Sequence, residues 1–113
     1  MRAFEVAQLT AERRASGEAW LEFLRVPALS MGVYALERGA DDPQAPHRED
    51  EIYLVLSGRA QLRVEGCDQP VQSGSVVYVA AGADHRFHSI REDLTALVLF
   101  APAESSPRSA ALD

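Results

Sequence analysis

Apolar and polar residues alternate along this chain in short runs separated by glycine and proline. Ala60 to Glu65 is the cleanest case, with Ala60, Leu62 and Val64 on one face and Gln61, Arg63 and Glu65 on the other. Trp20 to Val26, Ser30 to Glu37, Glu51 to Leu56, Ser75 to Val79, Arg86 to His88 and Leu94 to Phe100 read as further strands. Pro70-Val71-Gln72 reads as a short edge strand, because proline has no N–H to give to a ladder. Thr10 to Ser16 is the one helix candidate, with Thr10 as its cap and Gly17 as its stop, and it is expected to be a surface turn. Short strands with no helices between them predict an all-β sandwich or barrel with one short N-terminal helix.

Length and charge narrow the possibilities. At 113 residues there is room for one core, taken as residues 1–102. Ala103 to Asp113 is polar and aperiodic and is expected to be a disordered tail. Several strands are apolar on both faces, whereas one small sandwich buries a single core. A second subunit is expected to cover the surplus, making a homodimer. The formal net charge of −6, with basic residues scattered beside acids, argues against nucleic acid as a partner. Cys67 is the lone cysteine, and no apolar run reaches the length of a membrane span, so no membrane partner and a cytoplasmic location are expected.

Chemistry concentrates in two stretches, Gly39 to Gly58 and Gly74 to Ser89. The first holds His47 and, four residues on, Glu51 at the head of an apolar strand, where an uncompensated carboxylate is expensive. The second delivers His85 just after the turn at Ala80-Ala81-Gly82. Two imidazoles and one carboxylate form the donor set of ions such as Fe(II) and Mn(II), with coordination positions left open. On one straight strand His47 and Glu51 would lie about 13 Å apart. The chain is therefore expected to bend within Arg48-Glu49-Asp50, setting the two on adjacent strands and leaving Glu49 and Asp50 in solvent. His88, three residues past His85, should face the other way and stay out of the site. Tyr34, Tyr53, Tyr78 and Phe87 are candidates for a cavity lining or plain core.

These two stretches resemble the motifs of the cupin superfamily, in its small single-domain form. His47, three residues, Glu51, six residues and Gly58 follow the first motif; Gly74, five residues, then Gly82, two residues and His85 follow the second. The motif's first His falls on Ala45, its Pro on Ala80 and its final Asn on Ser89. The resemblance implies a jelly-roll β-barrel and one divalent first-row metal ion (Fe, Mn, Ni or Zn), here with His47, Glu51 and His85 as ligands. Gln44 is the candidate for the missing position, as fourth ligand or as a hydrogen-bonding support. It stands three residues before His47 in a proline-rich stretch where polyproline geometry repeats every three residues. The function expected is a metal-binding cupin, read as a dioxygenase-like oxidoreductase on a small organic molecule held in the barrel. The alternatives are a non-catalytic small-molecule or metal-binding module and a dimeric scaffold with a structural metal.

Overall fold

The computed structural model describes residues 1–105. One helix, α1 (Val6–Ser16), precedes six strands: β1 (Trp20–Val26), β2 (Leu29–Leu36), β3 (Asp50–Val64), β4 (Cys67–Gln72), β5 (Val76–Val79) and β6 (His85–Ala101). All pairings are antiparallel, in the order β1-β2-β6-β3-β4, with β5 added on β3. The expected all-β architecture with a short leading helix is present.

Two of the expected breaks are not breaks. Glu51–Leu56 and Ala60–Glu65 join into one strand, β3, which stops one residue short at Val64, and Arg86–His88 and Leu94–Phe100 are likewise one strand, β6. Both continue because they bend rather than turn. Register slips between Val55 and Ser57, Ser57 and Arg59, and Arg59 and Gln61 place bulges in the middle of the β3–β6 ladder. Gly58 makes the bend possible. Its φ is +96°, and a Cβ there would collide with the Asp93 carbonyl oxygen.

This bent ribbon shapes the molecule. The first half of β3 lies between β5 and β6, and the second half between β4 and β6. The inner faces meet in a core of Tyr34, Tyr53, Val55, Leu62, Phe87, Val98 and Phe100 among others. Two residues of one turn close the β3–β4 hairpin: Glu65 (φ 48°) and Gly66 (φ 80°), between the paired Val64 and Cys67, fit the strand twist as a type I′ turn.

The N-terminal helix differs from the expectation. It begins at Val6, so Thr10 is interior and bonds back to the carbonyls of Val6 (3.1 Å) and Ala7 (2.9 Å) instead of capping. Gly17 ends it in the left-handed region, as expected. Leu9 is buried and the helix packs on β1 and β2, so it covers sheet surface rather than forming a free turn. Among the described residues no helix is long and apolar enough to cross a membrane.

The expected tail needs correction at its start. Ala103, Glu104 and Ser105 are tied to the barrel by their own N–H groups, to Pro27 O (3.3 Å), Ser30 Oγ (2.9 Å) and Glu49 Oε2 (3.1 Å). Hydrogen bonding rather than apolar burial holds them, which is why no hydrophobic pattern marks them. The rest of that stretch, 106–113, lies outside the described residues.

Replacing Gly58 by Ala tests the bend. The positive φ and the close carbonyl together should lower stability by about 2–4 kcal/mol. Urea unfolding reads this as a lower midpoint with an unchanged slope.

Candidate metal centre

Glu51 opens the inner face of β3, flanked by Val79 on β5 and Phe100 on β6, and is 1% exposed. Its partner is His85, the first residue of β6, whose Nε2 lies 2.9 Å from Glu51 Oε1. In the ladder His85 pairs with Val64, thirteen positions from Glu51 along β3. On a flat ribbon that separation is about 40 Å. The contact exists because the β3–β6 ribbon folds over itself at its bulges and brings both ends to one point in the interior.

His47 reaches the same point from the loop before β3, and not from an adjacent strand as expected. The loop is anchored by Asp42, a buried carboxylate within the first stretch but at none of its motif positions. Asp42 accepts from the Tyr34 hydroxyl (2.6 Å) and the Phe87 N–H (2.9 Å), tying the loop to β2 and β6. The Gly82 N–H donates to the His47 carbonyl (2.6 Å), which fixes the loop to the β5–β6 turn. The ring of His47 then stacks edgewise on Phe100, with centroids 4.8 Å apart, and stands 5.6 Å from the ring of His85. The expected bend after His47 is present, at Arg48 and Glu49. Glu49, expected in solvent, is buried and accepts from the Ser105 N–H. Asp50 is exposed as expected and accepts from Tyr78 OH and the Ala81 N–H.

The three predicted ligands therefore converge. One ligand atom each of His47, Glu51 and His85 lies within 4.8 Å of the others. Donors around an ion with bonds of about 2.1 Å stand about 3 Å apart when they share one face. His85 and Glu51 already meet that spacing at 2.9 Å, and the His47 ligand atom lies within 4.8 Å of both. Ala83 O accepts from His85 Nδ1 at 2.9 Å, so the proton belongs on Nδ1 and the Nε2 lone pair faces the centre. Residue types, burial and spacing fit a divalent ion.

Gln44 sits within a chain of hydrogen bonds. Its Nε2 donates to Asp42, and its Oε1 accepts from the Tyr53 hydroxyl at 2.9 Å. Tyr53 in turn packs 6.1 Å from the His85 ring. Tyr34 and Phe87 are buried with Tyr53, whereas Tyr78 is exposed. His88 lies apart, as predicted: its Nε2 is 2.8 Å from Asp68 on the outer surface. There the Arg63 guanidinium, with His88 second, holds the Asp68 carboxyl at about 2.

One site residue is not legible in the sequence. Glu104, 1% exposed, places Oε2 3.3 Å from His47 Nδ1. Its neighbours in sequence are small or polar, and no spacing links it to His47.

Residues 32–102 match the family model described as the cupin domain. The chain belongs to the cupin family. An uncharacterized protein of Streptomyces coelicolor is 51% identical to this cupin over 105 residues, spanning 93% of this chain and all of its own. Among solved structures, TT1209 from Thermus thermophilus superposes with a TM-score of 0.74 at 22% identity, over 91% of this chain and 99% of that one. The DMSP lyase DddQ from Ruegeria pomeroyi superposes with a TM-score of 0.63 at 27% identity, over 67% of this chain and 39% of that longer one.

His85 has opposing influences on its pKa. Burial pushes it down, but the Glu51 carboxylate and the Ala83 carbonyl hold the proton on and leave it above the ordinary histidine value. In the metal-free cupin this pair stabilises the fold fully below the unfolded pKa of about 6.5, and its contribution fades as pH rises through the higher folded value. Glu51→Gln should remove the largest upward pull and leave burial opposed by the Ala83 carbonyl and the more distant Asp42 charge. NMR titration of His85 should then show its midpoint fall from its raised wild-type position.

Proposed function

We propose that this cupin holds one divalent first-row transition metal ion on His47, Glu51 and His85 and uses it on a small organic molecule. Oxidoreductase chemistry of the dioxygenase kind is the reaction class. The observation that carries the reading is the convergence of two imidazoles and one carboxylate in the buried interior, donor atoms within 4.8 Å. When bound, such an ion supplies Lewis acidity and open positions for substrate. The chain supplies the rest. Asp42 and Gly82 fix the loop of His47, Ala83 orients His85, and the Tyr53 hydroxyl holds the Gln44 amide. Gln44 serves here as ligand or as hydrogen-bonding support.

A cavity of about 460 Å³ opens beside His85, with two acids, Asp42 and Asp84, and two cations, Arg63 and Arg86, among its lining. Its volume is that of a small-molecule site. Arg86 is in no ion pair among the described residues, whereas its register neighbour Arg63 is held by Asp68, so Arg86 is the cation at this cavity left to meet an anion. Small organic acids are therefore the substrates to try first. A non-catalytic module would show itself as metal binding without turnover.

Metal analysis of the purified protein, followed by oxygen consumption over a panel of small acids, tests the proposal. His47→Ala, Glu51→Ala and His85→Ala should each strip the metal, while His88→Ala keeps it. Gln44→Ala should weaken metal binding by about 10–100-fold. A wild-type protein that carries no first-row metal and gains none on dialysis would refute the reading.

We also propose a homodimer and a cytoplasmic location. Ile52, Val76 and Tyr78 are exposed on the outer face of the β3–β5 pair, with Ile52 and Tyr78 directly opposite in register. Such a patch favours burial against its two-fold copy. Light scattering at micromolar concentration should return twice 12.3 kDa. Ile52→Lys with Tyr78→Lys should return the monomer mass.

A further inference from the structure

We infer that Glu104 is a positioning residue for His47, delivered to the centre by a backbone latch that follows the last strand. The inference rests on the metal reading above. It assigns a role to a residue outside both motifs that carry the family resemblance.

The latch comes first. After β6 ends at Ala101, three successive residues each donate a backbone N–H to a different part of the barrel. Ala103 reaches the β1–β2 turn at Pro27, Glu104 reaches the buried Ser30 hydroxyl at the start of β2, and Ser105 reaches the buried Glu49 carboxylate beside β3. Three bonds in a row leave the intervening backbone little freedom, so the Glu104 side chain is aimed rather than merely nearby.

It is aimed at His47. Glu104 Oε2 lies 3.3 Å from His47 Nδ1, and both side chains are almost wholly buried. Glu104 is not part of the three-residue ligand cluster itself. The Phe100 ring fixes the plane of the imidazole from one side, and the carboxylate then fixes its rotation and its tautomer. A proton on Nδ1 facing Glu104 leaves the Nε2 lone pair for the centre, the same arrangement that Ala83 imposes on His85. One histidine is thus oriented by a neighbouring carbonyl, the other by a carboxylate brought from 57 residues along the chain. A carboxylate makes the stronger acceptor and raises the basicity of the ligand it orients.

The test uses the full chain and Zn²⁺ in competition with a chromophoric chelator. Glu104→Gln keeps the volume, the latch and an acceptor oxygen, whereas Glu104→Leu keeps the volume and removes the acceptor. Zn²⁺ affinity should fall in that order, with the Leu variant weaker than wild type by about 10–100-fold. Imidazole nitrogen shifts of the metal-free proteins at pH 8.5 should show His47 protonated on Nδ1 in wild type and Glu104→Gln, and redistributed toward Nε2 in Glu104→Leu. A merely structural role for Glu104 leaves that tautomer where it was. Wild-type Zn²⁺ affinity and an unchanged His47 tautomer in Glu104→Leu overturn the inference. If the Leu variant does not fold, wild-type affinity in Glu104→Gln overturns it instead. A wild type that takes up no Zn²⁺ sinks the metal reading, and the tautomer comparison still decides whether Glu104 sets His47.

Discussion

Burying the Glu51 carboxylate is the constraint around which this barrel is arranged. A lone ionised carboxylate between Val79 and Phe100 would cost several kcal/mol, and the fold meets that cost with an imidazole at 2.9 Å. The imidazole belongs to the far end of the neighbouring strand, so the pair closes only if β3 and β6 bend together. That requirement accounts for the bulges clustered between Val55 and Gln61 and for a glycine at position 58, where the strands approach too closely for a side chain. Backbone irregularity in mid-ladder is thus the structural counterpart of one buried charge.

Compensation by His85 alone leaves the region rich in carboxylates. Glu51, Glu104, Glu49 and Asp42 are all buried, against two interior imidazoles. Asp42 and Glu49 are met by neutral N–H and O–H donors, Asp42 from Tyr34 and Phe87 and Glu49 from Ser105, so they serve as anchors for loop and latch. Glu51 and Glu104 face the histidines instead. A divalent cation shared with His47 and His85 balances this surplus better than protons do, because it satisfies the donor atoms without removing charge from the acids.

The sequence discloses the ligands and hides their supports, for a physical reason. Glu51 and His85 are legible because each breaks a local pattern, a charge or imidazole at the edge of an apolar strand, and His47 because of its spacing to Glu51. The alternation of Ala60 to Glu65 likewise marks its strand and its buried face. Asp42, Glu49 and Glu104 break no pattern, since polar residues in polar loops are ordinary. Their burial is created by backbone N–H groups and hydroxyls supplied from distant elements, and a residue such as Phe87 or Ser30 advertises nothing about which acid it will meet. The continuity of β3 and of β6 is hidden for a related reason. Ser57-Gly58 is a good turn signal locally, and only the register with β6 converts it into a bend.

The same contrast bears on what the centre can do. A site that only stabilises a fold is usually closed by four protein ligands. Here the position of the family's first histidine is Ala45, which offers no donor, and the nearby Gln44 amide oxygen already accepts from Tyr53. An ion held by these three residues alone would keep positions open for a small molecule, and a cavity lies beside His85. An ion held in that way would be poorly suited to act as a rivet. Its ligands are instead oriented one by one, His85 through Ala83 and His47 through Glu104, and orientation of that kind matters most where a metal must keep its geometry while its open positions change occupants.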